Sequence, residues 1–313
     1  MLLAGIGELL WDIYPDGRYV GGATFNFVHH VQQLGHKGLI ISRIGNDLAG
    51  EELLHLLQKR EFDTDFVQID KERGTGYVVI TLDENAEPSF ECSPVAPYDY
   101  LEWNDALFEL APRIDAVLYG TFAQRNDDAA NTTKAFLQAC SKAVKVFDVN
   151  FRGWDKNMRS TVFDCLPLTD IIKMNENEFQ RMKELFPELP EDAAECLPEL
   201  VKRNGLQLAC LTAGKWGCLI SDGPRTVYCP GIKIQPVDTT GAGDAFIAAL
   251  TIKFMEGAPL HHAGLFANLV AVNTIIHKGA TPVYTIDAIR NIEQARYDLN
   301  VKEEWREYMT QDV

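Results

Sequence analysis

The stretch best suited to chemistry is Val237-Asp238-Thr239-Thr240-Gly241-Ala242-Gly243-Asp244-Ala245-Phe246. Small residues crowd together just ahead of a strongly helical run. Glycines there let the backbone approach a ligand closely. The start of a helix offers unpaired N–H groups and a partial positive charge, which together make an anion site. Asp244 falls in the first turn, beside any phosphate held there, where a carboxylate can take a proton from an incoming alcohol. Phosphoryl transfer asks for positioning, charge neutralisation and one group that orients and deprotonates the nucleophile. The amides of Gly241, Ala242 and Gly243 together with Asp244 would meet those needs. By composition alone the same residues also suit a capped helix start, since Thr and Asp favour such positions.

Other residues fall where a second substrate could be held. Gly7-Glu8-Leu9-Leu10-Trp11-Asp12 reads as the end of a first strand, and ligands in open parallel sheets gather at the carboxyl ends of strands. Asp12 there could accept hydrogen bonds from two hydroxyls, or could simply open the turn Pro15-Asp16-Gly17. Gly21-Gly22 permits another close backbone approach ahead of a helix. Asn26, one turn into that helix, offers both a donor and an acceptor. Asp148-Val149-Asn150-Phe151-Arg152 follows another strand. The guanidinium fork of Arg152 could steady a hydroxyl, a carboxylate or a phosphate, or form a plain surface ion pair.

Two familiar nucleotide motifs are absent. Gly214-Lys215 has Ala209 where a P-loop needs its first glycine, and Trp216 follows the lysine. Neither Gly5-Ile6-Gly7 nor Gly241-Ala242-Gly243 completes a G-x-G-x-x-G fingerprint, because Leu10 and Phe246 occupy the last position. The adjacent pairs His29-His30 and His261-His262 split across helix faces, which suits packing or solvation better than a metal. The seven cysteines are scattered and form no C-x-x-C pair, as expected for free thiols in a reducing compartment.

These residues need a frame. Leu2–Gly7, Leu39–Ile44, Ala116–Tyr119, Lys145–Asp148, Ile171–Met174 and Gln207–Thr212 read as strands. Ala23–Leu34, Leu48–Gln58, Asp127–Cys140, Asn175–Lys183, Asp192–Arg203, Ala242–Met255 and Leu260–Ile276 read as helices. Such alternation predicts a parallel sheet covered by helices on both faces. Cys218–Ser221 and Thr226–Cys229 predict a hairpin turning at Asp222-Gly223. Short strands at Phe66–Ile69, Gly76–Leu82 and Pro88–Glu91, with Tyr19-Val20, predict a small separate sheet able to act as a lid. The tail from Ile286 is expected to be helical and peripheral. The 313 residues are 46% hydrophobic and 24% charged, an ordinary globular composition. A formal charge of −16 argues against a nucleic-acid partner, which would need a basic surface. No apolar run reaches the ~20 residues of a membrane span. The first residues lack a signal peptide's charged region and cleavage site. A cytoplasmic protein is expected.

Asp238-Thr239-Thr240-Gly241-Ala242-Gly243-Asp244-Ala245-Phe246 resembles the C-terminal signature of the ribokinase-like (PfkB) carbohydrate kinase family. Gly21-Gly22-Ala23-Thr24-Phe25-Asn26 is similar to that family's N-terminal glycine signature. Thr24 and Phe25 stand where proline and a small residue are more usual. Arg43-Ile44-Gly45-Asn46-Asp47-Leu48-Ala49-Gly50 matches its G-x-D-x-x-G continuation. The resemblance runs in family order from Gly5 to Pro282.

It implies a doubly wound, mostly parallel α/β core in one domain spanning 1–313, with a small β lid drawn from about 12–21 and 66–98. It implies ATP as donor, Mg2+ as phosphate counter-ion, Asp244 as general base, and Gly241, Ala242 and Gly243 as the anion hole. Asp12, Gly21, Gly22, Asn26 and Arg152 would contact the sugar. Asn175-Glu176-Asn177-Glu178 fits the N-x-x-E motif, whose glutamate tunes Mg2+ through water. Thr212-Ala213-Gly214-Lys215-Trp216-Gly217 resembles the nucleotide loop, giving Thr212, Gly214 and Gly217, and Asn273 would lie toward adenine. Asp238 and Thr240 would sit near a monovalent cation, K+ in many relatives. Lid sheets of the family often pair between subunits, which implies a homodimer. Gly7-Glu8-Leu9-Leu10-Trp11-Asp12-Ile13-Tyr14-Pro15 resembles the fructokinase opening. Asp148 to Arg152 is similar to a segment shared by fructokinases and 2-keto-3-deoxygluconate kinases.

Overall fold

A strand buried on both faces is mostly apolar, and so are most residues of the strands that build the core here. A computed structural model describes residues 1–82, 88–151, 156–295 and 297–310 of the chain. It begins with β1 (Leu2–Ile6), leaves the core as β2 (Leu10–Tyr14) and β3 (Gly17–Gly21), and returns through α1 (Ala23–Gln33), β4 (Lys37–Gly45) and α2 (Leu48–Lys59). Next come β5 (Val67–Asp70), β6 (Tyr77–Leu82), β7 (Pro88–Cys92) and α3 (Asp105–Leu110). Regular alternation follows in β8 (Ala116–Gly120), α4 (Asp127–Ala139), β9 (Val144–Asp148), α5 (Lys156–Cys165) and β10 (Ile171–Asn175). It continues through α6 (Glu176–Leu185), α7 (Ala193–Asn204), β11 (Leu208–Thr212), β12 (Gly217–Ser221) and β13 (Thr226–Ile232). The last elements are α8 (Ala242–Met255), α9 (Leu260–Ile275), α10 (Ile286–Gln294) and β14 (Leu299–Asn300).

The main sheet has ten strands in the order β14-β13-β12-β11-β10-β9-β8-β1-β4-β5. From β11 to β5 the neighbours run parallel. β12, β13 and β14 add an antiparallel edge, which includes the expected hairpin. One face packs against α1, α2, α8, α9 and α10, the other against α3 to α7, so there are two apolar layers. α8 is buried all along Ala245–Ile252, as a helix sandwiched between neighbours must be. A four-stranded sheet, β3-β2-β6-β7, stands apart and closes over Leu10, Tyr14, Val78, Ile80 and Tyr98. Among the described residues no helix is long and apolar enough to cross a membrane.

Three expectations need correction. Residues 66–69 do not join the small sheet. Val67–Asp70 pairs parallel with β4 at the edge of the main sheet. Strand propensity reveals a strand but not its partner. The chain passes to the small sheet only after Thr75, whose amide and hydroxyl both donate to Asp47 (2.8 and 2.6 Å). Asp12 does not end β1 but lies inside β2, opposite Tyr19 of β3. The tail is helical only to Gln294. It then adds β14 and a 3-10 turn over Glu303–Tyr308 that buries Trp305 to 2% exposure, so it is neither wholly helical nor peripheral.

Candidate active site

The strand order turns around between β1 and β8, and the carboxyl ends of β1, β8, β9 and β10 open beside the first turn of α8. Gly241 caps that helix with φ 77°, a left-handed conformation natural to glycine. A side chain there would also overlap Ala280. The amide of Ala242 donates to the Thr239 carbonyl at 3.2 Å, closing the turn. Residues 241–244 stay half-buried, reachable from outside.

Asp244 lines a pocket shared with Glu8, Asp12, Gly22, Asn26 and Thr240. Its carboxylate accepts a 2.8 Å bond from Asn26 Nδ2, which joins α1 to α8. Asn26 Oδ1 is buried without a hydrogen-bond partner, an acceptor ready for a hydroxyl. Asp12 reaches the same pocket from β2. At Gly21 any Cβ would overlap the Asp12 carboxylate, so glycine is what leaves that group its place. At Gly22 a Cβ would stand 2.5 Å from the Glu8 carbonyl. Of the departures from the family pattern, Phe25 is core, edge-on to Phe62 at 5.3 Å. Thr24 donates to the Glu8 carbonyl at 2.7 Å and fixes the pocket floor. Arg152 lies outside the described residues. Asn150, at φ 44°, lines the pocket.

Sequence reasoning missed Lys173. It projects from the centre of β10, is 6% exposed, and meets both oxygens of Asp148 at 3.0 Å across the β9–β10 register. Burial opposes its charge, but the carboxylates of Asp148, Glu178 and Asp244 outweigh that and hold it protonated, above the ordinary lysine range. A Cβ at Gly243 would sit 2.9 Å from Lys173 Nζ, so a buried cation lies directly under the glycine turn. The signal was there to read: a lysine inside Ile171-Ile172-Lys173-Met174, where a central strand should be apolar.

Asn175, Glu178, Thr212, Gly214 and Gly217 fall on one flank, where Asn175 pairs with Thr212 across β10 and β11. Asn175 and Glu178 form a reciprocal capping box on α6: the Asn175 amide donates to Glu178 Oε2 (2.8 Å) and the Glu178 amide to Asn175 Oδ1 (2.9 Å). Among the described residues no group of three or more acidic, His or Cys side chains could hold a metal. Mg2+ fits the site nonetheless, because it keeps its waters and takes phosphate oxygens, so one carboxylate suffices. Thr212 ends β11, and Gly214 and Gly217 adopt φ 51° and 87° in the turn that follows. Asn273 is buried in α9, its carbonyl held by His277 Nδ1 at 2.7 Å. Asn268, one and a half turns earlier, is the asparagine beside that flank, donating to the carbonyls of Cys229 and Pro230 at 3.1 Å each.

Asp238 is fully buried and committed to hydrogen bonds. It accepts from Tyr14 Oη (2.8 Å), the Gly279 amide (2.9 Å) and the Thr240 amide (2.9 Å). Burial pushes the Tyr14 phenol far above its usual range, so it stays a donor. Thr240 Oγ1 is buried without a hydrogen-bond partner and is the oxygen of this pair left to offer a cation. Beside this knot, His30 Nε2 donates to the Ala280 carbonyl (3.0 Å) while its Nδ1 accepts from Tyr284 Oη (2.9 Å), and His29 Nε2 donates to the Pro282 carbonyl (2.8 Å). These bonds brace the loop that backs Gly241. Burial keeps both imidazoles neutral, pushing them down to about 4 for His29 and about 3 for His30.

Comparison with known proteins identifies the family. The family model described as "pfkB family carbohydrate kinase" matches residues 16–286. A sugar kinase of Pyrococcus horikoshii is 30% identical over 94% of this chain and 96% of its own length. A fructokinase of Klebsiella pneumoniae is 29% identical over 86% of this chain and 90% of its own. The solved structure of the Pyrococcus horikoshii sugar kinase in complex with ATP superposes with a TM-score of 0.75 at 27% identity, covering 93% of this chain and 99% of that one. The chain therefore belongs to the pfkB family of carbohydrate kinases: it is an ATP-binding phosphotransferase with a ribokinase-like fold.

Proposed function

We propose that this kinase transfers the γ-phosphoryl group of ATP to a primary hydroxyl of fructose. The observation that carries the reading is the Asp244 carboxylate, held by Asn26 in a pocket with Asp12 at the mouth of α8. The sugar oxygen forms its bond to Pγ as the bond from Pγ to the β-bridging oxygen breaks, and ADP leaves with that electron pair. The hydroxyl proton passes to Asp244. Asn26 is a positioning residue, turning the carboxylate toward the pocket. Gly241, Gly243 and the first turn of α8 receive the equatorial oxygens through amides and the helix dipole. Lys173 adds a full positive charge from beneath. Mg2+, when bound with the nucleotide, neutralises phosphate charge, with Glu178 holding one of its waters. Asp12 and Asn26 take sugar hydroxyls. The small sheet serves as a lid that keeps water from the transferring group.

A 2-keto-3-deoxygluconate kinase is the second reading, favoured by Asp148 to Arg152. The pocket speaks for a neutral sugar, because Glu8, Asp12 and Asp244 all line it and would repel a sugar acid. A coupled ADP-release assay with fructose, ribose, 2-keto-3-deoxygluconate and adenosine decides between them. Fructose should give the highest kcat/KM. No turnover of fructose would remove the reading. Pairing of two lids through exposed Tyr77 goes with it and is tested by sedimentation.

A further inference from the structure

A phenol joins the small sheet to the glycine turn. Asp12 and Tyr14 stand two residues apart on β2, so their side chains leave the same face of the strand. Asp12 reaches the pocket, and Tyr14 reaches Asp238, whose carboxylate accepts from its Oη at 2.8 Å. Asp238 is fully buried, and its other bonds go to the main chain: Oδ1 accepts from the Thr240 amide and Oδ2 from the Gly279 amide, each at 2.9 Å. Thr240 leads directly into Gly241. Ala280, next to Gly279, closes on Gly241 from behind, where a Cβ would overlap it. The Asp238 carboxylate is thus the point at which both walls of the glycine turn meet, and Tyr14 brings the small sheet to that point.

The phenol has little freedom. Tyr19 packs edge-on against its ring with centroids 5.3 Å apart. Tyr19 in turn lies against Gly279, where a Cβ would stand 3.2 Å from its ring. Lys278 Nζ sits over the Tyr14 ring, 5.2 Å from its centroid, and pairs with Asp16 in the turn that follows β2. Burial, with the carboxylates of Asp238 and Asp12 acting the same way, keeps the proton on Oη, so the bond to Asp238 keeps its donor. A buried, aimed hydrogen bond of this kind fixes two segments in one frame.

We propose that Tyr14 is a positioning residue that couples the two substrates: its bond to Asp238 ties the strand carrying Asp12 to the 241–243 turn, so that sugar on Asp12 tightens the nucleotide phosphate at the turn, and phosphate tightens the sugar. This rests on the reading of Asp12 as a sugar contact and of the turn as a phosphate cradle. Coupling between sites is carried by a contiguous set of packed and bonded groups. Here the path runs from Asp12 along β2 to Tyr14, across to Asp238, and through the Thr240 amide into Gly241. By linkage the effect is equal in both directions. It also favours the alcohol over water as acceptor, because the turn is held best when a sugar occupies the strand beside it.

The test is calorimetry on the full chain. The sugar is whichever of the four assayed above is turned over fastest, titrated with and without saturating Mg-AMP-PNP. In the wild type the nucleotide analogue should tighten the sugar roughly tenfold. Tyr14→Phe keeps the ring and its packing and removes the hydroxyl alone. It should bind each ligand singly within about threefold of the wild type, while the tightening falls below about twofold. Its kcat should drop about tenfold, as the turn and the sugar lose their common frame. Thr281→Val cuts a different tie between the small sheet and the same loop, the 3.4 Å bond from Thr281 Oγ1 to the Val20 carbonyl, and should keep the wild-type tightening. Equal tightening in the wild type and Tyr14→Phe would overturn the proposal. So would its loss in both variants, which marks a general loosening of the small sheet, or a wild type whose sugar affinity ignores the analogue. If the wild type binds no sugar of the panel or no Mg-AMP-PNP, the reading of the site falls first and takes this inference with it.

Discussion

The two halves of the active site are built differently. The flank proposed to take the sugar is made from the first 26 residues and one turn of α8, and its polar groups hold one another: Asn26 on Asp244, Thr24 on Glu8, and Asp12 in the space Gly21 leaves. The flank proposed to take the nucleotide is made from the hairpin edge and the start of α6, and is held mainly by backbone pairing and the α6 capping box. Short, side-chain-specific contacts make a selective pocket. A backbone-built slot accepts the part of the reaction common to all such kinases.

Substitutions can break this division, and the largest effect is expected where the halves meet. Asp244→Asn should lower kcat by roughly two to four orders of magnitude while sparing affinity for sugar and ATP, measured by single-turnover kinetics and calorimetry. A comparable loss of sugar binding would place Asp244 in recognition instead. Lys173→Met should follow, with kcat down roughly 100-fold and both KM values nearly unchanged, because its charge acts on the transferring group. A buried Asp148 left unpaired destabilises the fold, so Lys173→Met/Asp148→Asn is the companion variant and should show the same kcat loss with better recovery of folded protein. A rise confined to KM for ATP would assign Lys173 to the nucleotide side alone.

Gly21→Ala tests the sugar side by itself. Displacing the Asp12 carboxylate should raise the sugar KM about tenfold or more and leave KM for ATP untouched. The effect expected to touch turnover least concerns pH and stability. His29 and His30 titrate near 4 and 3 in the folded chain, below the ordinary 6.5, so the unfolded chain binds more protons in acid. Their contribution is complete above pH 6.5 and declines as pH falls toward the folded values. Between pH 6.5 and 4.5 each should cost about 2–3 kcal/mol, read as a falling Tm. His30→Gln should flatten that slope. An unchanged slope would mean that this brace behind Gly241 does not stay neutral.

The motifs proposed to hold the sugar stand out in the sequence because their residues are contiguous: Gly21-Gly22 with Asn26, and Gly241 to Asp244. The parallel core was legible because strands and helices alternate with clear punctuation. Pairing was not. Val67–Asp70 reads as a strand in any context, and only the register with β4 shows which sheet owns it. Lys173 was hidden because its role depends on Asp148, 25 positions away in sequence and adjacent only across two parallel strands. The tail misled for a related reason: Trp305 declares itself only when Tyr228 is in place.

Tyr14 closes β2, and its hydroxyl is fastened to Asp238 in the loop ahead of α8. The small sheet is also moored along β2 and β3, where Trp11 Nε1 donates to the Ala49 carbonyl, Thr281 Oγ1 to the Val20 carbonyl, and Lys278 pairs with Asp16. A plate so fixed swings like a door instead of lifting away, and its far strand β7 sweeps the widest arc. Phe90, on the outer strand β7, would travel most, while Asp12 and its cross-strand partner Val78 would move little. The Asp12 carboxylate would stay in register with Asp244 through such a swing, and the greasy cover alone would come and go.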